Sequence, residues 1–179
     1  MTAPDPGPRL AAKLASSSYV EMTQLVMPSH ANRLDTAFGG QVVSWVDLAA
    51  GIAAQRHARG PCVTASIDQL SFLAPIRVGD VVILRARINA VFGTSMELEV
   101  VVEAEDLTTG VRRPCCDAFL TFVALGPDGK PTRAPLLLTE TEDEVRRQAE
   151  AQERRAARMA SRGARAPIAP AGGQPGDRR

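Results

Sequence analysis

Asp47 is the one acidic residue in an otherwise apolar and small-residue run, Gly40 to Ala54. The run has the length of a helix and a firm stop signal at Gly60-Pro61, and a helix apolar around most of its circumference is normally swallowed by its fold. A carboxylate in such a place costs on the order of several kcal/mol of desolvation, so it is either strongly paired or used. Partial burial raises a carboxyl pKa toward neutrality, which suits a general base that takes a proton from water. Asn32 lies seven residues before Gly39-Gly40, and Asp47 lies seven residues after Gly40. An asparagine amide can orient a water or a carbonyl. The N–H groups where the helix begins, around Gly39 and Gly40, point toward a developing oxyanion, and glycine leaves the approach open. Asp47, Asn32 and Gly40 are thus the candidate catalytic residues, and the chemistry they suit is attack by an activated water.

Other nucleophiles and ligands are less well supported by their surroundings. Ser44 stands one helical turn before Asp47 without a histidine base in a triad pattern. His30 and His57 lie far from any other metal-ligating residues, and both read as surface or interface residues. Cys62, Cys115 and Cys116 form no CxxC pair and read as packing thiols rather than as a zinc site or a disulfide framework. Asp35, in the same loop as Asn32, is a second acid that either shares a proton with Asp47 or faces solvent in an Asx-type turn.

These residues need a helix and something to hold it. Tyr19 to Met27 predicts a strand, 28–36 a loop, and Phe38-Gly39-Gly40 the opening of the helix. Four strand-like segments follow without another helix: 62–73, 80–90, 96–105 and 116–125. In the second, Val82, Leu84, Ala86 and Ile88 alternate against Ile83, Arg85, Arg87 and Asn89; in the third, Met96, Leu98, Val100, Val102 and Ala104 oppose a glutamate-rich face. That alternation predicts a sheet with one face toward water. Short links at 92–94 and 106–110 predict an antiparallel meander that curls around the helix. The part of the helix left uncovered predicts a second copy of the chain, a homodimer at least.

With 179 residues, 45% hydrophobic content and a formal net charge of +1, the chain has enough material for one sizeable core and no bulk charge for nucleic acid. No run approaches the roughly 18 apolar residues that spanning a bilayer requires, and the start lacks the pattern of a signal peptide, so a cytoplasmic protein without membrane partners is expected. The boundaries read as a flexible segment over 1–17, the packed domain over 18–127, a charged helical extension over 128–165 and a disordered tail over 166–179. In the extension, acidic residues from Glu140 to Glu144 precede Arg146, Arg147, Arg154, Arg155 and Arg158, which suits a helix dipole and reads as a solvated helix.

The order and spacing of Met27-Pro28, Asn32, Gly39-Gly40 and Asp47 resemble the hotdog-fold acyl-CoA thioesterases, in the branch of the cytosolic and broad-specificity bacterial acyl-coenzyme A hydrolases. Phe72 to Asp80 is similar to that family's Phe-x-x-Pro-x-x-Val-Gly-Asp stretch, and Thr94-Ser95-Met96 to its polar hairpin entry. The resemblance runs from Tyr19 to Leu125. It implies an α+β hotdog fold, an antiparallel β-sheet wrapped around one long central helix, here with a C-terminal helical tail. It also implies hydrolysis of acyl-CoA to a free carboxylic acid and coenzyme A, with no metal or bound cofactor, coenzyme A being part of the substrate. Asn32 and Asp47 would act across a dimer interface, with a trimer of dimers as the larger alternative. Phe38, Gly39, Thr94, Ser95 and Asp35 would contact substrate, with Arg85 and Arg87 as further candidates. The family often has glycine where this chain has Asp35, which leaves open a catalytically silent acyl-CoA-binding or regulatory module. A hotdog hydratase or dehydratase would need an acid/histidine pair, and His57 falls ten residues beyond Asp47.

Overall fold

The computed structural model describes residues 11–164. The elements run β1 (Lys13–Leu14), β2 (Val20–Leu25), α1 (Gly39–Ala58), β3 (Cys62–Phe72), β4 (Val81–Phe92), β5 (Ser95–Glu105), β6 (Arg112–Ala124), β7 (Leu137–Leu138) and α2 (Glu142–Ala164). Five of the strands form one antiparallel sheet in the order β2-β4-β5-β6-β3, wrapped around α1, as the hotdog resemblance implied. The expected strands and helix are present with boundaries shifted by up to four residues.

The period-two pattern decides which face meets α1. Val82, Leu84, Ala86, Leu98, Val100, Val102, Leu120 and Phe122 pack against Val42, Trp45, Val46, Ala49, Ala50, Ala53 and Ala54 of the helix. The paired alanines let α1 lie close to the sheet while Leu84, Leu98 and Leu120 fill the space between. α1 ends where Arg59 takes a left-handed conformation, φ 55°, and its N–H bonds the Gln55 carbonyl. The stop signal was read at Gly60-Pro61; the left-handed residue is the arginine before it.

Three expectations are corrected. Only part of the glutamate face of β5 meets water: Glu103 and Glu105 stay partly exposed, whereas arginines of α2 cover Glu97. Glu97 is fully buried and accepts from Arg154 at 3.0 and 2.7 Å and from Arg158 at 3.0 Å. Arg158 also pairs with Asp68 at 3.0 Å, and the Arg154 guanidinium lies 3.9 Å above the Phe119 ring. The extension is therefore docked by its arginines rather than solvated. Arginines at 147, 154 and 158 recur at spacings that return to one helix face, which a reading by charge blocks overlooks.

His57 is the second correction, since it is fully buried rather than at a surface. Its Nδ1 is 3.1 Å from the Ser18 hydroxyl and its Nε2 donates to the Pro135 carbonyl at 2.9 Å. A carbonyl only accepts, so Nε2 carries the proton and Nδ1 accepts from Ser18. Burial lowers the imidazole pKa. The third correction concerns the leading segment: β1 pairs in parallel with β7, and Lys13 donates to the Arg56 and His57 carbonyls at 2.9 and 2.7 Å. Residues 11–18 thereby tie down the C-terminal end of α1. The first ten residues and the 166–179 tail lie outside the described residues.

Candidate active site

Asp47 occupies the middle of α1, at the border between its buried stripe and an uncovered one formed by Gly40, Ser44 and Leu48. It is half-buried, not swallowed as the composition of the helix suggested. Oδ1 accepts the Thr64 hydroxyl at 2.6 Å, which fixes the carboxylate rotamer. Oδ2 has no hydrogen-bond partner among the described residues. Thr64 comes from β3, where a register shift between Thr64 and Ser66 makes Ala65 an extra residue in the ladder. Such a bulge re-aims the side chains beside it, and it accompanies the turn of the Thr64 hydroxyl toward the helix. Sequence reasoning missed Thr64, because a threonine in a strand is ordinary and its tie to Asp47 exists only once β3 is packed beside α1.

Asn32 is exposed, and its amide organises its own loop. Oδ1 accepts from the Leu34 N–H at 2.8 Å, and Nδ2 donates to the Thr36 hydroxyl at 2.9 Å. Backbone bonds join Asn32 N–H to Thr36 O at 2.8 Å and Asp35 N–H to Asn32 O at 3.2 Å. Closing so tight a turn requires a left-handed residue, and Asp35 supplies it with φ 53°. The position where the resemblance implies glycine thus needs positive φ, and aspartate meets the need better than most residues do. The Asp35 carboxylate faces solvent and makes no hydrogen bond with Asp47. The loop is anchored to the β3–β4 connection by Ala37 N–H to Ile76 O, 2.7 Å, and Val78 N–H to Asp35 O, 3.2 Å.

α1 begins where Phe38 is extended and its carbonyl accepts from Gln41 and Val42 at 2.9 and 3.2 Å. The Gly39 and Gly40 amides ahead of these find no acceptor among the described residues and sit at the positive end of the helix dipole. A Cβ on Gly40 would fall 2.5 Å from the Phe38 ring, and one on Gly39 3.4 Å from the Phe72 ring. Phe38 is itself exposed. Beside this helix start opens a cleft of about 350 Å³, lined by apolar residues including Val42, Phe72, Leu73 and Ile76.

Not every candidate lies here. Thr94 and Ser95 form the β4–β5 turn, which bonds to Ala134 through Gly93 O at 2.9 Å, near the His57 end of α1 and away from Gly39. Arg85 and Arg87 lie on the outer face of the sheet, where Arg85 pairs with Glu21 and Glu103 at 2.9 and 2.5 Å. The described residues contain no group of three or more His, Cys, Asp or Glu side chains arranged to hold a metal. Burial pushes the Cys62 and Cys116 thiols up to about 11, the range of packing thiols rather than nucleophiles.

A sheet curled around one central helix, with an acid at mid-helix and free amides at its start, defines a thioesterase-like class of hotdog protein. The chain belongs to the thioesterase superfamily, whose family model matches residues 34–111. A Bacillus subtilis protein named as an uncharacterized acyl-CoA thioester hydrolase is 42% identical over 74% of this chain and 77% of its own length. Curated mammalian relatives are longer, and the chain spans 25% of the rat acetyl-coenzyme A thioesterase at 39% identity. A hexameric acyl-CoA thioesterase solved in its apo form superposes with a TM-score of 0.84 at 35% identity, covering 87% of this chain and 100% of the other. An acyl-CoA hydrolase from Staphylococcus aureus, solved with butyryl coenzyme A and coenzyme A, superposes at 0.79 with 33% identity, covering 84% of this chain and 92% of the other. That hydrolase has also been solved with an Asn, an Asp and a Thr each replaced by Ala, at positions separated by 15 and 17 residues.

Proposed function

We propose that this chain hydrolyses acyl-CoA thioesters to a carboxylic acid and free coenzyme A, with Asp47 as general base. The observation that carries the reading is the Thr64-held carboxylate of Asp47 beside an uncovered helix stripe. Asn32, Asp47 and Thr64 are separated by 15 and 17 residues, the spacing of the three alanine variants of the S. aureus hydrolase. Asp47 takes a proton from water as the water oxygen bonds to the thioester carbonyl carbon. The Gly39 and Gly40 amides receive the oxyanion. Collapse of the tetrahedral intermediate breaks the C–S bond, and the proton on Asp47 passes to the departing thiolate. Water and the chain's own groups suffice for every step, without metal or bound cofactor.

The helix itself argues for two subunits. Seven residues at about 1.5 Å per residue separate Asp47 from Gly40 by about 10 Å along the axis, too far for one carbonyl to touch both. The acid of one protomer must therefore meet the glycine amides and Asn32 of another. β3 supports this arrangement: it is an 11-residue edge strand carrying exposed Val63, Ile67 and Phe72. Long apolar edges invite pairing. Antiparallel pairing of two β3 edges brings the far end of one sheet beside the helix start of the other, where Thr94 and Ser95 join Phe38, Gly39 and Asp35 as substrate contacts. A trimer of such dimers would match the hexameric relative.

No described helix is long and apolar enough to cross a membrane. A cytoplasmic setting fits that and the cytosolic acyl coenzyme A thioester hydrolases among the relatives. The packed domain over 18–127 holds every residue assigned to the reaction. Thiol release across acyl chain lengths tests the reading: turnover that survives Asp47→Ala overturns the mechanism. Tight acyl-CoA binding without thiol release replaces it with a silent binding module.

A further inference from the structure

A second site lies on the outer face of the sheet. β2 covers β4 only as far as the Val20 to Ala86 pair, so Arg87 to Phe92 continue beyond it. Over this stretch the first turns of α2 and the segments around Ala15 and Leu137 enclose a cavity of about 290 Å³. Asn89 is the extra residue of a bulge between Ile88 and Ala90, and it lines that cavity at 2% exposure. Its amide has no hydrogen-bond partner at either Oδ1 or Nδ2. The other buried side-chain polar atoms without a partner among the described residues are Arg87 Nε and Glu99 Oε2, from the neighbouring rung. Arg87 and Asn89 both line the cavity, and native interiors pair such groups, so their orphaned atoms there point to a ligand rather than to packing.

Counting donors and acceptors narrows the ligand. Arg87 Nε and Asn89 Nδ2 offer protons, Asn89 Oδ1 requires one, and the Glu144 carboxylate also stands on the cavity wall. Arg147 enters the same cavity, and Glu99 approaches Arg87 and Arg147 only to 3.7 and 3.9 Å, longer than hydrogen bonds. Burial, then the like charge of Arg87, lower the Arg147 pKa, although Arg147 also pairs with Asp143. A simple anion would leave Asn89 Oδ1 bare and face Glu144; a simple cation would leave the donors bare and face two guanidinium groups. Ile88, Leu137 and Ala15 form an apolar wall.

We propose that this cavity binds a small zwitterion, an aliphatic α-amino acid. Its carboxylate lies toward Arg87, Arg147 and Asn89 Nδ2, its ammonium toward Glu144 and Asn89 Oδ1, and its side chain lies on Ile88 and Leu137. The site is independent of the hydrolytic one and uses none of its residues.

The test is calorimetric titration and thermal denaturation of the full chain with L-leucine, 4-methylpentanoate and 3-methylbutan-1-amine. The expected result is a saturable rise in Tm with leucine and binding at least about tenfold weaker for the two analogues, each of which forfeits charge-assisted hydrogen bonds. Asn89→Leu keeps the volume, removes the amide and should abolish leucine binding without lowering thiol release; Arg147→Gln, on the surface helix, serves if that variant does not fold. Equal binding of the carboxylate alone overturns the zwitterion assignment. Absence of binding by all three overturns the site.

Discussion

In the proposed reaction Asp47 and Thr64 act as a hydrogen-bonded pair, so replacing them should fail in different degrees. Removing a general base costs on the order of a hundredfold to ten-thousandfold, and Asp47→Asn should lower kcat for acyl-CoA by that much while the fold is kept. Thr64→Val should cost only about tenfold, the worth of one hydrogen bond to a charged group, and should act on kcat more than on KM. Stopped-time thiol assays on the two variants separate these outcomes. Asp35 makes a different claim. Its left-handed backbone predicts that Asp35→Ala lowers stability by about 1 kcal/mol, whereas Asp35→Gly is neutral or stabilising. Chemical denaturation checks it, and a large change in turnover for Asp35→Gly would give that carboxylate a part in the chemistry after all.

At the scale of elements, the two helices are held by opposite means. α1 is held by apolar burial and closed at its C-terminal end by a neutral histidine. The folded imidazole resists protonation, whereas in the unfolded chain it titrates near about 6.5. The unfolded state therefore binds the extra proton, and this contribution to stability is intact above about pH 6.5 and declines as pH falls below it, by about 1.4 kcal/mol per pH unit until the folded group titrates. Denaturation midpoints of wild type and His57→Gln between neutral and mildly acidic pH should converge. α2 is held by charge: Glu97 lies buried between two arginines. Glu97→Ala leaves Arg154 and Arg158 without their anion and should cost about 2–3 kcal/mol, less than a fully buried pair because both guanidinium groups keep some contact with water. Faster proteolysis of α2, with the sheet intact, is the accompanying sign.

For the whole molecule the proposed mechanism turns on the axial distance between Asp47 and the glycine amides. A site that needs two protomers loses its activity when the protomers separate. Ile67→Lys on the exposed β3 edge should shift the protein to monomer in light scattering and abolish thiol release together, although Ile67 touches no reacting atom. A monomer with full turnover would require a site contained in one chain.

The central helix and the strands were legible in the sequence, because an apolar run and a period of 2 are local and survive without knowledge of the fold; that β3 pairs with β6 at the far edge of the sheet was not. Asp47, Asn32 and Gly39-Gly40 were legible as candidates, since a lone acid in an apolar run and a glycine pair at a helix start stand out against their neighbours. Thr64, Glu97, His57 and the Asn89 cluster were not. Each has an ordinary residue type in an ordinary local pattern, and its role depends on what distant segments place against it: β3 beside α1 for Thr64, α2 over β5 for Glu97, Ser18 and Pro135 around His57, and the early end of β2 for Asn89. Hydrogen bonds and ion pairs across such separations are properties of proximity, and proximity is what the tertiary structure alone decides.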